Sequence, residues 1–291
     1  MTTQTILSQN IAEGLAYYTQ PGPVTDPGKF GVHLDPLPTD FQELCNTLQG
    51  LLVHIFWARR YGLALSDQRK NEVNLRAVSR QLARMLELAD YPLNEPRPLE
   101  KRLVGNCRDF STLMCAALRH HGIPARTRCG FATYFKPGHF EDHWICETWD
   151  AGQGRWVRID AQLDQLQRET LRISFNPLDV PSDQFLTGGQ AWLMCRMGEQ
   201  DPHKFGIFDM HGMGFIRGDL IRDFLALNKI EILPWDEWPI LKKPLSALSE
   251  TEMNLLDQMA RLTLDAGTHF ADIHSLYEQQ PLLKASPDWQ P

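Results

Sequence analysis

The chain has 291 residues, 43% of them hydrophobic and 22% charged, enough for one large domain or two modest ones with a real core. A formal charge of −7 and a pI near 5.8 exclude a general nucleic-acid binder, which needs a basic face to neutralise phosphates. Six cysteines (45, 107, 115, 129, 146 and 195) lie scattered without scaffold spacing, so reduced thiols are expected rather than a disulfide framework.

The first residues, Met1-Thr2-Thr3-Gln4-Thr5, have no basic stretch followed by an apolar run, so no signal peptide is expected. Apolar stretches such as Leu51 to Ala58 are too short to span a bilayer. The expected setting is cytoplasmic, with no membrane partner.

Residues 20–40 are rich in Pro and Gly and read as an irregular arm. From Phe41 to about Tyr61, apolar residues recur at helical spacing behind Asp40 as a cap. A second helix is expected from Asp67 or Asn71 to Ala89, ended by the Tyr91-Pro92 to Pro98 cluster. Residues 99–165 change character to one helix and three strand-like runs, Ala125–Phe135, His143–Trp149 and Arg155–Asp160. Beyond them lie a Gly-rich segment from Lys204 to Gly218, read as loop, and a short helix near Asp219–Leu227. An aromatic loop follows at Leu233–Pro239, then a last helix behind the capping box Ser249 and Glu252. The expected organisation is an N-terminal arm and helices (1–98), a core (99–175) and a C-terminal mixed or helical region (176–291) that shapes the substrate site, all in one integrated unit.

Chemistry concentrates in the middle part. Asn106 is a good N-cap and Asp109, three residues on, can reach back to it, which sets Cys107 at the first helical position. The stripe Phe110, Leu113, Met114, Ala117, Leu118 then faces the core, and Gly122 and Pro124 stop the helix. A thiol at a helix N-terminus feels the positive end of the dipole, which favours thiolate, and free N–H groups there suit a developing oxyanion. Taken alone, Cys107 could equally be a small buried residue after a turn. Cys45, Cys115, Cys129 and Cys146 read as packing.

His143 and Asp160 sit on two strands joined by Asp150-Ala151-Gly152-Gln153. If Trp149 pairs with Gly154, His143 stands directly across from Asp160, with Cβ atoms about 4.5–5.5 Å apart. A carboxylate there fixes the imidazole tautomer and raises the basicity of the other nitrogen. Cys107 is then a nucleophile, His143 its base and Asp160 the group that orients the imidazolium, with a thioester acyl-enzyme as intermediate.

At these residues the chain resembles the transglutaminase-like superfamily of papain-type fold, in its bacterial type. The likeness is carried by Asn106-Cys107-Arg108-Asp109-Phe110-Ser111, His121-Gly122-Ile123-Pro124-Ala125-Arg126, Asp142-His143-Trp144 and Trp156-Val157-Arg158-Ile159-Asp160. The steps of 36 residues from 107 to 143 and of 17 from 143 to 160 also suit that core. Trp144 directly after His143 and Ala161 after Asp160 depart from the pattern of many members. The resemblance covers roughly residues 99–165. It implies a helix bearing the nucleophile packed on an antiparallel sheet; with the helices read on either side of it, the expected fold is α+β with extra helices at both ends. It also implies acyl transfer at carboxamides, with Cys107, His143 and Asp160 as the triad.

The expected activity is that of an amidase or cysteine peptidase on a peptide or small amide, with no metal or organic cofactor. Transfer to an amine acceptor is the alternative, and a non-enzymatic binding protein of the same fold is a further one. A metal site from Cys129, His139, His143 and Cys146 is disfavoured, because the spacing lacks close paired thiols and strand alternation separates His143 from Cys146. His203, Asp209, His211, Trp235, Asp236 and Trp238 are secondary candidates for a pocket rim, and Trp57 and Tyr61 for an oxyanion donor.

Overall fold

The computed structural model describes residues 3–286 and 288–291. Along the chain run α1 (Thr3–Tyr18), α2 (Phe41–Leu51), β1 (Leu52–His54), α3 (Asp67–Lys70), α4 (Val78–Leu88), β2 (Leu103–Gly105), α5 (Cys107–His120), β3 (Ala125–Ala132), β4 (Phe140–Asp150) and β5 (Arg155–Ile159). Then follow α6 (Gln165–Leu171), β6 (Phe185–Thr187), α7 (Gly188–Arg196), β7 (Phe205–Ile207), β8 (Met210–His211), α8 (Met213–Leu227), α9 (Glu250–Leu264) and α10 (Phe270–Gln279). This is the mixed α+β class expected. No described helix is long and apolar enough to cross a membrane. The contacts divide the chain into two units, one of residues 18–127, 145–180 and 291, the other of residues 1–17, 128–144 and 181–290.

In the first unit, β1 and β2 pair in parallel, and the C-terminal part of β4 pairs antiparallel with β5. Helix α5 packs on this hairpin: Cys115 Sγ lies 3.4 Å from Cys146 Sγ. Its stripe of Phe110, Leu113, Met114, Ala117 and Leu118 is buried with Leu44 and Leu48 of α2, Leu82 and Met85 of α4, and Ile159 of β5. Two expectations are corrected here. The helix expected from Phe41 to about Tyr61 stops at Leu51, and Leu52–His54 become a strand. A short, continuously apolar run reads the same in either state, and the parallel partner Leu103–Gly105 decides for strand. The second helix is continuous only from Val78, because Glu72 turns inward: its carboxylate accepts from Val104 N at 2.9 Å and from Arg84 Nε at 2.9 Å.

In the second unit, β3 pairs with β6, the start of β4 runs parallel to β7, and β7 turns back into β8. Helix α7 approaches α8 and α9 closely because it begins with two glycines. A Cβ on Gly188 would lie 2.5 Å from the Asp219 carbonyl group, and one on Gly189 would lie 2.1 Å from Thr263 Oγ1. The Arg128 guanidinium grips Asp223 through two bonds of 2.8 Å, tying β3 to α8. The Gly-rich segment is therefore less of a loop than expected. It supplies β7 and β8, and α8 begins already at Met213 behind Gly212, whose φ of +96° makes the turn. Ser249 and Glu252 form the expected capping box at the start of α9, but α10 follows it, so α9 is not the last helix.

Candidate active site

The start of α5 is built as its sequence implies. Asn106 is extended, its side chain accepts from Asp109 N, and Asp109 Oδ2 accepts from Asn106 N at 2.8 Å, so both bonds of the capping box are made. Cys107 is the first residue of this 14-residue helix. Asp109 also accepts from Gln81 Nε2 at 2.8 Å and from Arg108 Nη1 at 3.0 Å, and Arg108 Nη2 donates to the Arg76 carbonyl. Burial raises the Asp109 carboxyl to about 6 despite the opposing charge of Arg108. The turn beneath Cys107 is thus fixed by a buried ion pair and a glutamine from α4.

The thiols separate clearly. Cys45, Cys115, Cys129 and Cys146 are buried, whereas Cys107 and Cys195 are half-buried. Burial, with help from the charge of Asp160, pushes the Cys45 thiol up to about 12, and Cys129 and Cys146 are also raised by burial. Cys195 is pushed up to about 11 by burial and the nearby Asp201.

The hairpin exists, but its register differs from the one expected. Trp149 pairs with Trp156 and Cys146 with Ile159. The turn is Ala151–Gly154: Asp150 ends β4 paired with Arg155, its Oδ1 accepts from Gly152 N and Gln153 N, and Gly154 closes the turn at φ +63°. Continued one step, the register sets Ile145, and not His143, across from Asp160. His143 lies two residues earlier on β4, so it leaves the strand on the same face as Ile145 but at a different level. Asp160 is buried just past β5; its N–H donates to the Pro177 carbonyl at 2.9 Å and its Oδ1 accepts from Gln162 N at 3.1 Å. His143 is buried beside the rings of Phe135 at 4.8 Å and Tyr134 at 5.9 Å, both near edge-on. Cys107 and Asp160 belong to the first unit and His143 to the second. Tyr134 and Phe135, at the end of the strand-like run Ala125–Phe135, have no role in the sequence pattern that foretells these ring contacts.

The secondary candidates are mostly committed elsewhere. The Tyr61 hydroxyl donates to Asp164 Oδ2 at 2.6 Å and accepts from Gln167 Nε2 at 3.0 Å, so it is held by α6 and its cap. Trp57 lies under the Arg60 guanidinium. His203, in the turn before β7, and His211, at the end of β8, are exposed and meet each other, Nδ1 to Nδ1 at 3.1 Å. Trp238 is buried and donates to the Leu283 carbonyl, and Asp236 accepts from Leu233 N, so that loop packs on its own unit; Trp235 stays exposed.

Among the described residues, the ligand cluster that forms is Cys129, Asp142 and Asp219, with one donor atom each within 4.8 Å of the others, rather than Cys129 with His139, His143 and Cys146. Arg222 Nη1 already donates to Asp219 Oδ1 at 2.7 Å and supplies a positive charge there. Burial raises both carboxyls, and their mutual repulsion raises Asp219 further. These residues are the candidate holders of a cation, with one thiol and two carboxylates as the donor set.

Residues 66–161 fit the family model of the transglutaminase-like superfamily. The segment starts before the motif-bearing residues and takes in Cys107, His143 and Asp160. No curated protein and no solved structure matches the chain.

Proposed function

We infer from the transglutaminase-like core that the chain is a thiol acyl-transfer enzyme, acting on a peptide or small carboxamide through a thioester on Cys107. The observation that carries this proposal is the capped start of α5: a half-buried thiol on the first helical residue, where the positive end of the helix dipole favours thiolate and oxyanion alike. In the proposed cycle His143 takes the thiol proton and Cys107 Sγ attacks the carbonyl carbon. The C–N bond breaks, and His143 passes that proton to the leaving amine. Water then attacks the thioester, giving the acid and restoring the thiol. Asp160 orients the imidazolium.

Hydrolysis is the proposed second half-reaction, which makes the protein an amidase or cysteine peptidase. An amine acceptor in place of water would make it a transferase. A panel of short carboxamide peptides, followed by intact-protein mass spectrometry after acid quench, tests both levels. An acyl adduct labile to hydroxylamine is expected on the native chain and absent from Cys107→Ala. Added methylamine divides the product between acid and amide and measures the partition. Full turnover by Cys107→Ala would sink the mechanism.

A further inference from the structure

Away from the triad, the second unit encloses a cavity of about 150 Å³ between α8, the 239–243 segment and α9. Its walls are mostly apolar, with Leu248, Leu255, Leu256 and Leu282 among them, yet three cations, Arg217, Lys242 and Lys243, line it against one carboxylate, Glu252. Lys243 is already paired with Glu252 at 2.7 Å. Arg217 is different. It is only 6% exposed, and its hydrogen bonds go to neutral groups, Nη1 to the Lys243 carbonyl at 2.8 Å and Nη2 to the Leu241 carbonyl at 3.2 Å. Its Nε is buried with no acceptor, and no carboxylate among the described residues pairs with it. Buried charges are ordinarily paired. Here an uncompensated guanidinium stands against an apolar cavity, on a chain whose formal charge is −7.

We propose that this cavity binds a small carboxylic acid with a short apolar tail, the carboxylate set between Arg217 and Lys242 and the tail against Leu248, Leu255 and Leu256. A strongly hydrated anion such as phosphate would match the charge but leave the leucine walls facing a polar group. A neutral hydrocarbon would fit the walls but leave the guanidinium without a counter-charge. The volume is below the roughly 300–1,000 Å³ of pockets for drug-sized ligands, so the tail is short. Arg217 is well placed for the head because guanidinium geometry suits a carboxylate. The site uses none of the triad residues and stands whether or not Cys107 is a nucleophile.

The test uses the full chain and hexanoate as probe, with hexanol and inorganic phosphate as controls, by titration calorimetry or ligand-observed NMR. Hexanoate is expected to bind at least ten-fold more tightly than either control. Leu255→Trp, which fills the cavity, and Lys242→Glu, which reverses the charge of an exposed rim residue, are each expected to weaken it at least ten-fold. Arg217→Met should do the same, but it also frees two carbonyls and can unfold the segment, so the first two variants carry the test. Absence of hexanoate binding, equal binding of hexanol, or unchanged affinity in Leu255→Trp would overturn the proposal.

Discussion

At the scale of single residues, the six cysteines separate by environment more than by sequence neighbourhood. Four are buried, and of the two half-buried thiols Cys195 is raised to about 11 by burial and Asp201. A thiol of that acidity is about one part in ten thousand thiolate at neutral pH, and the thiolate is the species that reacts. Iodoacetamide at pH 7 is therefore expected to label Cys107 first and Cys195 much later, read by peptide mass spectrometry. The proposed mechanism further expects the Cys107 labelling midpoint to fall below the value of about 8.5 for free cysteine. A midpoint at or above that value would favour a binding module over an enzyme. The place of Cys107 at a helix start was legible because a cap is local: Asn106 and Asp109 specify it within four residues. The partner geometry was less so. Gly154 at φ +63° and the Asx bonds of Asp150 set the turn, and they moved the register by two residues from the one expected.

At the scale of elements, the helix that carries Cys107 rests on charges that water does not reach. Arg108 and Asp109 are both buried and bonded to one another, and Asp109 also holds Gln81 and the Asn106 amide. Removing one member of such a pair leaves the other charge unsatisfied, at a typical cost of about 3–5 kcal/mol. Asp109→Ala is expected to lower the urea-unfolding free energy by that order, whereas Asp109→Asn, which keeps the shape and several bonds, should lose less. Equal stability of Asp109→Ala and the native chain would show that the ion pair is incidental. Elements defined by local signals, such as α5 and α9 with their capping boxes, could be read from the sequence. Those defined by distant partners could not: β1 is a strand because residues 103–105 lie beside it, and α7 packs close because Gly188 and Gly189 leave room for α8 and α9.

At the scale of the whole molecule, the half-buried His274 and the buried Asp109 pull stability in opposite directions with pH. His274 is lowered to about 4, chiefly by burial and then by Lys229, with Glu278 opposing. Its Nδ1 meets Asn228 Oδ1 at 2.6 Å while Nε2 is buried without a partner, so a second ring proton would find no acceptor. Between pH 4 and 6.5 the unfolded chain holds a proton on this histidine that the folded chain lacks, so its contribution makes stability rise with pH. Asp109, raised to about 6, does the reverse: the folded chain keeps a proton that the unfolded chain loses near pH 4, and stability falls as pH climbs to 6. The native profile should be flattened by this opposition. His274→Gln removes the rising component, so denaturation midpoints of that variant are expected to fall from pH 4 to 6 relative to the native chain. Parallel profiles for the two proteins would rule out the histidine as a contributor.

The interleaving of the two units has a consequence for modularity. The chain passes from one unit to the other within β3 and again within β4, and the second unit draws on three separated stretches of sequence. The family-matched stretch of residues 66–161 takes residues from both units and completes neither; it lacks Leu44 and Leu48 of α2, on which α5 packs. The boundaries of sequence likeness and the boundaries of packing therefore fall in different places along this chain.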